Sequence, residues 1–210
     1  MACCNDDNCA SAALVGRQRR VLVWVLLINA TMFVVEASAG WIANSSALLA
    51  DSLDMLGDSI AYAFSLYVLN RGPRWAAISA LLKGGLMALF GLFVLGEVIS
   101  KLIWPVMPVA ETIGIIGAMA LCANLICLLL LTRHRSDDIN MQSVWLCSRN
   151  DIIANVGVLA AAAGVALSQQ GWPDIAIGLV IASLFLRSAI QVIGRATRQL
   201  RETSQPRNSD

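Results

Sequence analysis

Two short runs hold most of the chemistry this chain could perform. One reads Ala47-Leu-Leu-Ala-Asp51-Ser-Leu-Asp54-Met-Leu-Gly-Asp58, the other Trp145-Leu-Cys147-Ser-Arg149-Asn150-Asp151-Ile-Ile-Ala-Asn155. On a helix, residues four apart share a face, so the carboxylates of Asp54 and Asp58 point the same way, and Cys147 and Asp151 repeat that spacing. Packed against each other, two such helices offer two oxygens from one side and a sulfur and an oxygen from the other. Four donors of that kind close a tetrahedron, the arrangement zinc and similar ions prefer. The competing explanation is that these groups only bridge helices through hydrogen bonds or ion pairs. That suits a lone aspartate, but three carboxylates in apolar surroundings need a compensating cation.

The neighbouring residues are read more modestly. Asp51, three residues before Asp54, faces a similar direction and is taken as a helix-start residue near the outer surface rather than as a base behind the ligands. Arg149 is two residues from both Cys147 and Asp151, so it points away from them and is expected to pair with an acid on another helix, Glu36 or Glu97. His134, the only histidine, falls in a basic loop and is expected to be solvated. Cys122 and Cys127 read as small apolar fillers. Cys3, Cys4 and Cys9 belong to the cluster Cys-Cys-Asn-Asp-Asp-Asn-Cys. Its ligand types suit a thiophilic metal, and they suit equally a reduced tail with no separate function, without disulfides.

These runs must be held by membrane helices. Hydrophobic residues make up 58% of the 210 and charged residues 14%, against roughly 25% charged in soluble domains, and the mean hydropathy is +0.69. A helix crosses the bilayer core with ~20 mainly apolar residues. Six such stretches occur, at Val21–Ala43, Ala47–Leu69, Ala76–Trp104, Val109–Leu131, Val144–Leu167 and Trp172–Ile193. Within them an ionisable side chain costs ~2.5–3.5 kcal/mol near the centre and by default marks an ion or substrate path.

Arginines flank the stretches unevenly. Arg17, Arg19 and Arg20 precede the first; Arg71 and Arg74 separate the second from the third; Arg133 and Arg135 separate the fourth from the fifth; Arg195, Arg198, Arg201 and Arg207 follow the sixth. On the opposite side only Lys101 stands near a helix end, which puts both termini in the cytoplasm. The expected fold is therefore an all-α membrane protein with six transmembrane helices. It divides into a cytoplasmic Cys-containing tail (1–16), a six-helix transport domain (17–195) and a short polar C-terminal tail (196–210). Such tails leave no room for a folded soluble domain of ~40 residues or more. The first stretch lacks a small-residue cleavage site and is expected to stay as a helix.

Turn chemistry sets the breaks. Asn44-Ser45-Ser46 reads as a turn that also caps the second helix, Arg71-Gly72-Pro73-Arg74 breaks the chain before the third, and Pro105 with Pro108 ends it. Ser136 followed by Asp137 and Asp138 looks like an N-cap, so the fifth helix is expected to start well before its apolar run, with Asp151 ~22 Å along it and inside the membrane. Asn29 precedes Asp54 and Asn124 precedes Cys147 at similar distances, each followed by an acid four residues further on. This is a faint echo of an inverted repeat.

The run from Asn44 to Asp58, the run from Cys147 to Asp151, and Trp172-Pro-Asp-Ile-Ala-Ile-Gly-Leu-Val-Ile-Ala with Leu186-Arg187-Ser188 together resemble the cation diffusion facilitator family of divalent metal cation transporters. The resemblance covers the whole membrane part. It implies a transport site at Asp54, Asp58, Cys147 and Asp151, efflux of divalent metal in exchange for protons, and a homodimer. A cysteine stands at 147 where the family commonly has histidine, which biases the site toward soft ions. The chain is expected to be a short form lacking the family's C-terminal cytoplasmic domain, and the loop between the second and third helices has no accessory ligands.

The function expected from the sequence is efflux of zinc, cadmium or related ions, cobalt included, by a multi-pass protein of the cell (inner) membrane if bacterial. Divalent metal, protons and lipid are its partners, with no prosthetic group, no enzymatic activity and no nucleic acid. Two rivals are a metal-dependent membrane enzyme that transfers lipid head groups, whose upstream acidic motif with Gly and Arg is not found here, and a membrane metal sensor that does not transport.

Overall fold

In a computed structural model the backbone is described over residues 6–68, 73–135 and 139–204, and side chains over 16–64, 66–67, 81–82, 84–135, 145, 148–149, 151–194 and 197–198. The chain forms six helices: α1 (Asp6–Ile42), α2 (Ser46–Val68), α3 (Pro73–Ile103), α4 (Ala110–Thr132), α5 (Ile139–Ser168) and α6 (Trp172–Ser204). Helix α1 begins ten residues before the expected tail boundary, and α6 continues past Ile193. The N-cap expected at Ser136 to Asp138 lies outside the described residues, but α5 does begin ahead of its apolar run.

Five helices contain stretches long and apolar enough to cross a membrane, within α1, α3, α4, α5 and α6. Helix α2 is as long as α4 but carries Asp51, Asp54 and Asp58. The outer surface is that of a protein in hydrocarbon: Leu89, Leu92, Leu129, Ile153, Leu184 and Ile190 are all exposed. Exposed tryptophans mark two levels. Trp41, Trp104 and Trp172 gather where α1 and α3 end and α6 begins, while Trp24 stands midway along α1. The 17 residues from Trp24 to Trp41 rise ~25 Å along the helix.

Helices α1, α2, α4 and α5 form a ring, with α1 on α2, α2 on α5, α5 on α4 and α4 on α1. The long helices α3 and α6 pair with each other and lean on α2 and α5. Glycines let that pair close tightly, for a methyl group at Gly84 would meet Ile193 at 2.7 Å and one at Gly91 would meet Leu186 at 2.8 Å. The main apolar core joins all these elements, with Leu48, Phe90, Val94, Val98, Ile113, Val158 and Phe185 buried together.

The α1–α2 turn shows the expected chemistry. Asn44 adopts a left-handed φ of 51°, a conformation asparagine tolerates better than most residues. The Ser45 hydroxyl accepts the Leu48 N–H at 3.0 Å, capping α2 as its sequence predicts. Asp174, at the start of α6, adds a second cap by accepting the N–H groups of Ser46 at 2.6 Å and Ala47 at 3.2 Å and the hydroxyl of Ser45. The negative charge sits where the α2 dipole favours it. Lys101 completes the cluster, donating to the Asn44 carbonyl at 2.6 Å and lying 3.5 Å from Glu97 and 3.8 Å from Asp174.

Candidate metal site

Because α2 packs on α5, residues far apart in sequence meet in the middle of the ring. Asp54 and Asp58 project from one face of α2, Asp151 projects from α5, and one carboxylate oxygen from each lies within 4.8 Å of the other two. Asp58 and Asp151 are buried and Asp54 is half-buried. Oxygens bound to zinc at 2.0–2.2 Å stand about 3.4 Å apart in a tetrahedron, so these three need little more than an ångström of closure to share one ion. Three carboxylates this close in low dielectric repel one another unless protons or a cation intervene. The site is therefore built to hold one or the other.

The fourth predicted ligand is Cys147. Its backbone lies in α5, one turn before Asp151, and its side chain lies outside the described residues, as do those of Cys3, Cys4 and Cys9. Tyr62, which the sequence reading missed, donates its hydroxyl to Asp58 at 2.6 Å and is itself buried. It stands one turn beyond Asp58 on the same face, a signal present in the spacing. Such a bond holds one carboxylate oxygen of Asp58 in place.

Two expectations require correction. Asp51 is not a surface residue at the helix start: it is 1% exposed, and Asn155 on α5 donates to it at 3.3 Å. The helix start itself is covered by α6 and α3, so its first turns are interior. Among the described residues no ion pair joins Arg149 to an acid on another helix. Arg149 is exposed, and its guanidinium lies 5.6 Å from the Trp145 ring, which Arg135 approaches at 5.5 Å. One turn of helix separates Arg149 from Trp145, a shorter reach than any neighbouring helix. Glu97 is taken by Lys101, and neither carboxylate oxygen of Glu36 has a hydrogen-bond partner. Cys122 is exposed and Cys127 buried against Asn29, at 3.6 Å; His134 is half-exposed in the turn after α4.

A cavity of about 510 Å³ adjoins the three carboxylates. Asp54, Asp58 and Asp151 lie on its wall and Met87, Phe90, Ile181 and Phe185 of the α3–α6 pair face them. A hydrated ion thus has room beside the site, on the seam between the four-helix ring and that pair.

With this geometry in view, the likeness to known proteins is specific. Residues 22–200 match the family described as the cation efflux transmembrane domain. The chain is 26% identical to the cadmium, cobalt and zinc/H(+)-K(+) antiporter of Bacillus subtilis (strain 168), over 93% of this chain and 67% of that protein. It is 26% identical to the zinc transporter ZitB of Yersinia pestis, over 89% of this chain and 64% of that protein. It is 27% identical to the metal cation efflux system protein CzcD of Cupriavidus metallidurans, over 79% and 56%. The chain thus spans between 56% and 67% of the length of these relatives.

Proposed function

This chain belongs to the cation efflux family, whose members are multi-pass membrane transporters and not enzymes, and from that membership we propose that it exports divalent transition-metal cations in exchange for protons. Zinc and cadmium are the first candidates, with cobalt next, because the relatives carry those ions in their names. The ion is held by Asp54, Asp58, Cys147 and Asp151. What supports the site is the convergence of three carboxylates from two helices, beside a cavity and within an apolar ring.

In this reading all six helices cross the membrane and both termini face the cytoplasm. Helix α2 lies along α1 between its two tryptophan levels, and its three acids, which lower its apolar character, are the residues the function requires. Residues 1–16 and 196–210 flank the transport unit on the cytoplasmic side, and a homodimer in the inner membrane of a bacterium is the working assembly.

The chemistry is a competition for lone pairs. Carboxylates and thiolate bind metal only when deprotonated, so loading the ion releases protons and protons from the far side displace it. Rocking of the α3–α6 pair against the ring changes which side reaches the cavity, the pattern of alternating access. The sign follows: metal affinity is full where the ligands are ionised and falls as pH drops. Uptake of zinc-65 into proteoliposomes under an imposed proton gradient tests the function. Accumulation should follow the gradient and collapse with an uncoupler. Binding without accumulation would make the chain a sensor.

A further inference from the structure

Beside the three converging carboxylates lies a second set of oxygen groups that this site does not use. Glu36 on α1 is fully buried, and neither of its oxygens has a hydrogen-bond partner. It lies within electrostatic reach of Asp51 and Asp54 on α2. Asp51 is buried with Oδ2 unpartnered, and Asn155 on α5 donates its amide to Asp51 while its own Oδ1 is unpartnered and buried. Three helices thus contribute buried acceptor oxygens without a hydrogen-bond partner, with Asp51 joined to Asn155 by a hydrogen bond and to Glu36 by electrostatics.

Such an arrangement runs against how proteins treat buried polar groups, which nearly all find a partner. When the two acids are ionised these acceptors cannot satisfy one another, since neither a carboxylate nor an amide oxygen donates, so protons or a cation must fill the gap. Lys101 is committed to Asn44, Glu97 and Asp174. A cation that displaces those protons would supply the missing charge.

We propose that Glu36, Asp51 and Asn155 form a second divalent-cation site, one made of oxygen donors only, one helical turn from the ion held by Asp54, Asp58, Cys147 and Asp151. Its position fixes its role. Asn155 is one turn past Asp151 along α5, and Asp51 one turn before Asp54 toward the α1–α2 turn. In the proposed topology both steps lead outward, so the second site receives the ion on its way out. Its chemistry suits that task, because oxygen donors hold a thiophilic ion less firmly than a thiolate does. The ion passes from a tighter, sulfur-containing site to a looser one before release.

This inference rests on the reading of the first site, and one experiment separates the two. Purified full-length chain in nanodiscs is titrated with cadmium by equilibrium dialysis at neutral pH, as wild type, Glu36→Gln and Asp58→Asn. The expected result is two ions per chain in the wild type, the weaker one lost in Glu36→Gln and the tighter one lost in Asp58→Asn. An unchanged stoichiometry and weak-binding constant in Glu36→Gln overturns the second site while leaving the first intact. Unchanged tight binding in Asp58→Asn overturns the first. Cadmium-113 NMR on the wild-type protein stands independently of whether Glu36→Gln folds: two resonances, one in the range of oxygen-only ligation, support the proposal, and a single resonance at two equivalents overturns it.

Discussion

At the α1–α2 turn buried acids meet a lysine and backbone donors, whereas one to two helical turns further in Glu36 and Asp51 keep oxygens without a hydrogen-bond partner. The outer cluster joins Asp174, Lys101, Glu97, Ser45 and two backbone N–H groups, and each charge there meets an opposite charge or a donor. The inner cluster joins Glu36, Asp51, Asp54, Asp58 and Asp151; Tyr62 donates to Asp58 and Asn155 to Asp51, while neither oxygen of Glu36 has a hydrogen-bond partner. Both are polar islands in an apolar bundle. In the first each charge has a partner and helices are held together; the second keeps unpartnered acceptor oxygens at Glu36, Asp51 and Asn155 and, in the proposed function, takes up an ion. Completeness of the hydrogen-bond and charge ledger, more than polarity, separates architecture from function here.

That contrast breaks most visibly at the carboxylates. Asp58→Ala or Asp151→Ala should reduce metal flux in vesicles to background while the protein still inserts, since losing a buried acid favours insertion by up to ~2.5–3.5 kcal/mol. Wild-type flux in both would move the ion elsewhere. The reverse pattern is expected at the turn. Asp174→Ala takes one of two acids from beside Lys101 and removes the second cap of α2, and losing charge-assisted hydrogen bonds of this kind costs about 1.5–3 kcal/mol. Thermal unfolding in detergent should occur at clearly lower temperature, with cadmium stoichiometry at low temperature unchanged. A variant that melts normally but binds no metal would erase the distinction between the clusters. The smallest effect is expected at position 147. Cys147→His should keep zinc flux and lower the cadmium-to-zinc ratio in competitive uptake, because imidazole serves zinc well and the softest ions less well. An unchanged ratio would assign Cys147 to packing.

Much of this was legible in the chain itself. Each of the six apolar stretches matches one of the six helices among the described residues, overrunning it by at most one residue at an end, and the spacing of Asp54 and Asp58 announced a shared face on α2. The Ser45 cap was legible because capping is local. What escaped was set by partners distant in sequence. Asp51 was misplaced because nothing near position 51 reveals that α5 brings Asn155 against it, and Asp174 meets Ser45 across 129 residues. Arg149 failed for the opposite reason: a partner on another helix was sought when Trp145 lay one turn away. Tyr62 was readable and overlooked, since an aromatic hydroxyl four residues beyond an acid is a donor in reach.

The length of α1 also makes the protein a gauge of its membrane. Its apolar span, Gly16–Ile42, is 27 residues and rises ~40 Å, more than an average hydrocarbon thickness of ~30 Å, so the helix tilts or the bilayer thickens around it, at fractions of a kcal/mol per ångström of mismatch. If the helices rock as proposed, their tilt changes, and with it the height the protein presents to its surroundings, so acyl-chain length enters the free-energy difference between the proposed inward- and outward-facing states.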